Sequence, residues 1–448
     1  MSVFISILVV VVILGVLATI HELGHFWVAR LLKIKAYEVS IFVGPALVNW
    51  RRNGVDYSIR AIPLGAYVRF TDIDEEGRAI DSDDPELLIN APRWKRLIVS
   101  LAGPMMNLIL GVIVFTIFFC TSPFCTLKMA PTYEGTQLSY TEYQAGDYLY
   151  AINGEKTVTY YDALNILYFD DETEEMVLTF KSAETGDKYD VTLNPEVENR
   201  IMLGITHTVD TDNKYDGWLI TDVFKMHNKG NPILKPGDYL VSIDEISVTD
   251  EEQLTEYLQG LSDGDVVSME YVRNGEYFTS DCTMSAMDVA NSRGVYFQAI
   301  EVSSASDVWL AFKNACQMPL SVFSSTKLVI KSAFAGEVEA YNVVSGPVGV
   351  VNAVDEVVAD VDTDVGFKAT TLLMLAGYIS LALTITNMLP LPGLDGSQLI
   401  MLIVEMVIGH KLSKKAENVI AVVGFICLIG LVLLAFSSDI AKIVIEGW

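Results

Sequence analysis

The chain is poor in cysteine, and none of its five cysteines forms a C-x-x-C pair. This odd count without paired spacing argues against a disulfide framework and against a zinc site built from cysteine. Basic residues are also scarce, since 30 lysines and arginines stand against 57 aspartates and glutamates, for a formal net charge of -27. So acidic a protein repels phosphate backbones, and we expect no nucleic-acid partner.

Charged residues are missing altogether from four apolar stretches, which are Val3 to Ile20, Leu97 to Leu127, Ala369 to Leu394 and Val419 to Ser438. Crossing the hydrocarbon core takes about 20 residues, and the first stretch continues to Ala29. That first stretch has no basic segment before it and no small-residue cleavage site after it, so we interpret it as a retained helix. The pattern predicts a polytopic α-helical membrane protein with about four transmembrane helices, and Ile400 to Ile408 as a surface or buried helix.

The short loops indicate the orientation of these spans. Basic residues adjoin the first two spans and the loop between the last two, at Arg30, Lys33, Lys35, Arg93, Lys95, Arg96, Lys411, Lys414 and Lys415. Because loops rich in lysine and arginine stay in the cytoplasm, both loops are predicted to be cytoplasmic. With four spans, both termini and the region from 128 to about 365 then lie outside.

The long acidic middle segment repeats itself about 90 residues apart. A Gly-Asp turn, an alternating strand and a second turn occur over Ala145 to Gly154 and again over Lys235 to Asp244. A helix is predicted after each, at Tyr161 to Tyr168 and at Glu251 to Leu261. The repetition predicts two tandem copies of a small β-rich domain. A further helix is predicted from Ser306 to about Ala335.

The motif His21-Glu22-Leu23-Gly24-His25 carries the clearest chemistry. Residues four apart share one face of a helix, so His21 and His25 can direct two imidazoles at one metal ion. Glu22 lies beside them, where it can take a proton from a metal-bound water. The motif ends an apolar run, and an unpaired glutamate at that depth is costly without a function.

A catalytic zinc ion needs a third protein ligand. His207 and His227 lie in the outer domains, and His410 lies near the basic cytoplasmic loop. Asp395 is the better candidate, because it lies in a stretch where two prolines and two glycines break the third span; the alternative is a capping role on the next helix. Asn387, at the start of that stretch, is predicted to hydrogen-bond either a substrate backbone or the broken helix itself.

Two further segments are predicted to support this site. Gly103 and Pro104 allow close helix approach, and Asn107 is a rare polar group in a span, so we interpret all three as packing residues. The segment Ile62 to Phe70 alternates in polarity around Gly65. From the residues alone it is interpreted as an ordinary hairpin.

Together these motifs resemble the site-2 protease family of intramembrane zinc metalloproteases, in particular the bacterial regulator-of-sigma-E protease type. The resemblance extends over nearly the whole chain. It rests on His21 to His25, Pro63 to Arg69, Gly103-Pro104-x-x-Asn107, Ser345 to Gly349, and the Asn-x-x-Pro-x-Pro-x-Leu-Asp-Gly segment that ends at Gly396. Ser397 departs from the usual pattern, in which a glycine is common, but no motif residue that would bind metal is lost.

The resemblance implies that His21, His25 and Asp395 bind Zn²⁺ and that Glu22 is the general base. It implies that Asn387, with Gly65 and Tyr67 of the hairpin, binds the substrate strand. Its implied substrates are single-span membrane proteins, such as anti-sigma factors already trimmed by an extracytoplasmic protease, and remnant signal peptides.

The implied organisation has four parts. Residues 1–127 hold two spans, the zinc motif and a cytoplasmic hairpin; 128–214 and 215–305 are extracytoplasmic PDZ-like domains; 306–448 hold a helix, two spans and the third ligand. The implied location is the bacterial inner or plasma membrane, with the active site toward the cytoplasm. Two other hypotheses are an inactive scaffold whose outer domains bind peptides, and a transporter that uses broken helices.

Overall fold

The structure, a computed structural model, describes residues 2–71, 84–209, 215–224, 226–335, 346–359 and 364–446. The helices are α1 (Ser2–Leu31), α2 (Arg93–Thr121), α3 (Tyr160–Tyr168), α4 (Glu251–Gln259), α5 (Ala305–Ala335), α6 (Pro347–Ala359), α7 (Val365–Asn387), α8 (Asp395–Ile408) and α9 (Lys414–Glu446). Of the sequence motifs, Ser345 and the predicted domain boundary at 214 lie outside the described residues.

The strands of the first half of the chain are β1 (Glu38–Arg52), β2 (Val55–Arg69), β3 (Phe124–Met129), β4 (Tyr148–Ile152), β5 (Glu155–Lys156), β6 (Met176–Lys181), β7 (Lys188–Leu193) and β8 (Val197–Met202). Those of the second half are β9 (Ile205–Val209), β10 (Trp218–Val223), β11 (Tyr239–Ile243), β12 (Ile246–Ser247), β13 (Val266–Arg273), β14 (Glu276–Thr283), β15 (Ser285–Ala290) and β16 (Phe297–Ile300). The protein is therefore a helical membrane protein with β-rich parts, as predicted.

Within the described ranges, four helices are long and apolar enough to cross a membrane, namely α1, α2, α7 and α9. The prediction of four spans is confirmed, but the third ends earlier than expected. Helix α7 stops at Asn387, not at Leu394, although the intervening residues are apolar. Pro390 and Pro392 lack the amide hydrogen that a helix requires, so the chain turns instead before α8 begins at Asp395.

Small residues let the spanning helices approach closely. A Cβ at Gly24 of α1 would lie 2.7 Å from the carbonyl oxygen of Ala102 in α2. A Cβ at Gly111 of α2 would lie 2.6 Å from the Leu381 side chain of α7. A side chain at either position would push the two backbones apart. Close approach matters because dispersion contacts between helices drive their association in lipid.

Strands β1 and β2 fold back on themselves into a sheet of four segments. Across the sheet the order is 46–52, 55–60, 38–43 and 62–69; segment 38–43 runs parallel to 55–60, and the other two pairings are antiparallel. The turn lies at Asn53-Gly54, where both residues have positive φ, as a tight type I′ turn requires. Residues 62–69 form one edge of this sheet, so the predicted segment is a single strand and not a hairpin of its own.

This sheet packs along α1. Phe26 of α1 shares a buried cluster with Val39 and Val55. Nearer the N-terminus of the same helix, a Cβ at Gly15 would lie 3.0 Å from the carbonyl oxygen of Pro63. The edge strand therefore runs beside the same helix that carries the His-Glu-x-x-His motif.

The chain divides into two compact units. Unit 1 comprises Met1–Lys128, Lys156–Phe169 and Phe297–Trp448, and unit 2 comprises Met129–Glu155 and Asp170–Tyr296. Helix α3 thus belongs with the spanning helices, where the buried carboxylate of Asp162 accepts hydrogen bonds from Ser321 at 2.9 Å and Ser324 at 3.0 Å in α5. The predicted boundaries 128–214 and 215–305 stay a prediction, although Lys156–Phe169 and the residues from Phe297 onward group with unit 1.

The internal repeat appears as the same succession of elements, occurring twice. Strand β4 pairs antiparallel with β6, and β6 with β7; likewise β11 pairs with β13, and β13 with β14. The aspartate of each Gly-Asp turn is buried and ties the turn to a later strand. Asp147 accepts a hydrogen bond from Tyr189, and Asp238 accepts two from Arg273.

A buried arginine holds the ends of unit 2 together. Arg293 is 4% exposed and donates to Asp170 at 2.9 Å, to the side-chain oxygen of Gln137 at 2.8 Å and to the carbonyl oxygen of Asp171 at 2.7 Å. Since a buried ion pair with full hydrogen bonding cannot lose one partner cheaply, this group fixes three chain segments in place.

We predict that Arg293→Met destabilises unit 2 by about 3–5 kcal/mol, because it leaves the Asp170 carboxylate buried and unpaired. Hydrogen exchange of the full chain in detergent should show the Gln137 and Leu138 amides exchanging more than tenfold faster. Arg200→Met is the control, since its pair with Glu198 is 62% and 66% exposed and contributes little. Equal exchange rates in the two variants would contradict the assigned role of Arg293.

Candidate metal centre

Helix α1 brings two imidazoles together. The Nε2 atoms of His21 and His25 lie 3.2 Å apart, and the two rings meet edge to face. Both residues are buried, at 8% and 7% exposed. The spacing of four residues predicts this arrangement, and the structure has it.

Asp395 meets these imidazoles from the other side. Its Oδ2 atom lies 2.9 Å from Nε2 of His21 and 3.3 Å from Nε2 of His25. Asp395 is the first residue of α8, whose N-cap is Leu394 without a side-chain capping bond. The capping alternative is therefore not what the structure shows, because the carboxylate points to the histidines.

The three atoms fit a zinc ion. With bonds of about 2.1 Å, a tetrahedral zinc ion separates its ligand atoms by about 3.4 Å, close to the spacings of 2.9, 3.2 and 3.3 Å. Gly103 of α2 faces the same point: a Cβ there would lie 2.3 Å from Nε2 of His25 and 2.5 Å from Nε2 of His21. Space beside the ligands is kept open by the absence of a side chain.

Helix α2 also contacts the other ring nitrogens. Nδ1 of His25 donates to the carbonyl oxygen of Val99 at 2.7 Å. Nδ1 of His21 lies 3.3 Å from the side-chain amide of Asn107. Metal-ligating histidines are commonly oriented by such a second partner, so α2 fixes both rings.

The start and end of α8 are both fixed, which sets the position of Asp395. A Cβ at Gly396 would lie 2.3 Å from two carbonyl oxygens of the preceding turn, so only glycine fits after the ligand. Near the other end, the buried Glu405 accepts from the Leu412 amide at 3.1 Å and faces Arg93 at 3.6 Å and Arg96 at 3.8 Å.

Glu22 adjoins the ligands without occupying the position of Asp395. A carboxylate oxygen of Glu22 lies within 4.8 Å of a ring nitrogen of each histidine. Because Glu22 follows His21 by one residue, it points about 100° away around the helix. The main-chain amide of Val68 in the edge strand interacts with this carboxylate. Glu22 is thus placed beside the two imidazoles.

The edge strand has its own polar cluster. Tyr67 donates to Glu38 at 2.6 Å, and Arg60 and Arg69 donate to the same carboxylate at 2.9 and 3.3 Å. Partial burial opposes the charge of Glu38, but these three donors together hold its pKa below the usual value. The Tyr67 side chain is therefore engaged within the sheet, while Gly65 has positive φ and open space around it.

The remaining predicted residues occupy other positions. Asn387 is the last residue of α7 and is half-buried. His207 stacks on Trp218 with ring centroids 3.8 Å apart, and His227 donates to the carbonyl oxygen of Leu203. None of the three other histidines is part of the ligand cluster, as the sequence predicts.

Several residues of the site were not assigned their role from sequence. Gly103 and Asn107 were recognised only as packing residues, and the main-chain acceptor at Val99 carries no sequence signal at all. Ser100 was not singled out, although its hydroxyl donates to the main-chain oxygen of Asp395 at 3.3 Å. All four lie on α2, the helix that faces the ligands.

Comparison with known proteins agrees with this site. The sequence pattern of peptidase family M50 matches residues 9–431, nearly the entire chain. The protein therefore belongs to peptidase family M50, the site-2 proteases.

Two relatives show the same extent of similarity. The zinc metalloprotease RasP of Shouchella clausii is 23% identical and aligns over 98% of this chain and 99% of its own length. The regulator of sigma E protease of Haemophilus influenzae is also 23% identical, over 97% of this chain and 98% of its own. The chain is accordingly a zinc metalloprotease that resides in a membrane.

We predict that Gly103→Ala lowers the zinc content of the purified protein at least tenfold, because the new methyl group occupies space beside both Nε2 atoms. Gly430→Ala is the matched control, since a Cβ at that position of α9 meets nothing within 4 Å. Elemental analysis by mass spectrometry measures the metal per chain. One zinc ion per Gly103→Ala chain would show that the metal binds elsewhere.

Proposed function

We propose that the protein cleaves single-span membrane proteins within the bilayer, with His21, His25 and Asp395 as zinc ligands and Glu22 as the general base. The observation that carries the proposal is the convergence of two buried imidazoles and one carboxylate among apolar helices. Polar groups at such a depth are costly, and they persist where they have a function.

The proposed reaction is hydrolysis of a peptide bond. A zinc ion held by His21, His25 and Asp395 would supply a Lewis acid, which lowers the pKa of water to about 7 and polarises a carbonyl. Glu22 is proposed to take the proton of the attacking water and to deliver it to the nitrogen of the leaving amine, which departs as the peptide C–N bond breaks. His21, His25 and Asp395 hold their positions, and Gly103 leaves room for the reacting carbonyl.

A spanning substrate must first be unwound, because a helix keeps its peptide bonds in internal hydrogen bonds. The edge strand 62–69 supplies main-chain partners for the unwound segment by strand addition. Gly65 contributes the close approach of its backbone, and Tyr67 contributes its main chain, since its hydroxyl is held by Glu38. Asn387, at the end of α7, is proposed to bind the substrate backbone from the opposite side.

Anti-sigma factors and remnant signal peptides are the proposed substrate classes. The similarity to a regulator of sigma E protease supports the first class. The basic loops support an orientation in which the metal centre lies toward the cytoplasm and unit 2 lies outside a bacterial inner or plasma membrane. The repeated β-rich domains of unit 2 are proposed to be PDZ-like, and cleavage is proposed to follow a first extracytoplasmic protease.

Unit 2 is proposed to act as a sieve that rejects substrates with bulky outer domains. It is inserted in the chain between spans two and three, and it is proposed to lie on the side from which untrimmed substrates extend. Excluded volume is the physical basis, and the acidic surface adds a repulsion that salt screens. The inactive scaffold and the transporter are less well supported, because neither needs the complete set of Glu22 and the three ligands.

We predict that Glu22→Gln keeps one zinc ion per chain but lowers the rate of substrate cleavage by about 10²–10⁴-fold, the usual contribution of a general base. Glu276→Gln, an exposed change in β14, is the matched control. Cleavage is followed with a single-span protein reconstituted in the same vesicles. Normal turnover by Glu22→Gln would remove Glu22 from the mechanism.

We also predict that excision of residues 203–284 relaxes substrate selection. Met202 and Ser285 are paired residues of β8 and β15, so an Asn-Gly turn can join them without disturbing that ladder. The shortened protein should cut an untrimmed substrate that the full protein rejects, at a rate near that for the trimmed form. The same deletion with Glu22→Gln is the control. Continued rejection of the untrimmed substrate, with normal cleavage of the trimmed one, would exclude the sieve.

A further inference from the structure

Asn107 has a buried polar side-chain atom that a packing role does not explain. It is 1% exposed in α2, and its Nδ2 atom lies 3.3 Å from Nδ1 of His21. Its Oδ1 atom is buried and has no hydrogen-bond partner among the described residues. An amide oxygen left alone in an apolar interior is a feature that needs an explanation.

The chemistry of the metal ligand supplies that explanation. Nε2 of His21 can bind a metal only through its lone pair, so the single proton of the neutral ring is on Nδ1. Nδ1 is then a donor and needs an acceptor, yet the Nδ2 group of Asn107 is itself a donor. Rotation of the carboxamide by 180° exchanges its oxygen and nitrogen. It gives Nδ1 of His21 the acceptor that it needs and gives the Asn107 oxygen its partner, while the amide nitrogen takes the position that the oxygen held.

We propose that Asn107 is a positioning residue for the zinc site, whose carboxamide oxygen accepts the Nδ1 proton of His21 and so holds Nε2 toward the metal. The inference rests on the proposed ligand set of His21, His25 and Asp395. The two histidines are then held in the same way, since Nδ1 of His25 already donates to the Val99 carbonyl oxygen at 2.7 Å. Both acceptors come from α2.

The surroundings keep Asn107 in place independently of the metal. Its main-chain oxygen accepts a hydrogen bond from Ser380 of α7 at 2.8 Å. One turn earlier, the Pro104 oxygen accepts from Thr384 at 3.3 Å. These bonds join α2 to α7 through the backbone and leave the Asn107 carboxamide available for His21. The hydrogen bond from Ser380 can therefore be removed without removing the contact between the Asn107 side chain and His21.

The test compares zinc affinity among variants of the full chain in detergent, by competition with a chelator of known affinity. Asn107→Leu keeps the approximate volume and removes the acceptor, and we expect a 10–100-fold loss of zinc affinity, as for other partners of metal-bound histidines. Asn107→Asp restores an acceptor and should bind zinc within about threefold of the unmodified protein. Ser380→Ala, which removes only the bond between helices, should also leave affinity within about threefold.

Two results would overturn the inference. Unchanged affinity in Asn107→Leu would make Asn107 a packing residue, and so would equal weakening in Asn107→Leu and Asn107→Asp. Helix content by circular dichroism is measured for each variant, so that a folding defect is separated from a binding defect. Failure of the unmodified protein to bind zinc, or retention of full affinity in His21→Ala, would instead reject the proposed ligand set itself.

Discussion

Polar groups among apolar helices must find their partners inside the protein, because lipid offers none. This constraint shapes the whole of unit 1. Two imidazoles from α1 and a carboxylate from α8 face each other, and α2 completes their contacts through Val99 and Asn107. Gly103 on the same helix lets these groups converge. Helix α2 therefore positions the side chains of the site, although none of the proposed ligands belongs to it.

The close approach of helices follows from the same requirement. Ligands that meet at about 3 Å can only come from backbones packed closely together, and glycine at positions 24, 103 and 111 permits that distance. The early end of α7 also helps to bring the proposed ligands together. The prolines that stop α7 free the chain to turn, so that α8 starts with its first carboxylate directed at the histidines.

Much of this arrangement is predictable from the sequence, because it follows from local rules. Long uncharged runs predicted four spans, the spacing of His21 and His25 predicted that two imidazoles meet, and the helix break indicated Asp395 as the third proposed ligand. What escapes prediction depends on contacts between distant segments. The partner of Asn107 and the space beside Gly103 follow from how α1 and α2 pack, which no local pattern specifies. The Asn53-Gly54 turn is a strong local hairpin signal, but the strands on either side of it do not alternate simply between polar and apolar residues.

The central claim is that one metal ion is held by two imidazole nitrogens and one carboxylate oxygen, with no sulfur ligand. X-ray absorption spectroscopy of the zinc-loaded protein tests it directly. Nitrogen or oxygen neighbours at about 2.0–2.1 Å, with outer-shell scattering from two imidazole rings, are the expected result. A sulfur neighbour at about 2.3 Å, or scattering from one ring or from three, would contradict the assignment of His21, His25 and Asp395.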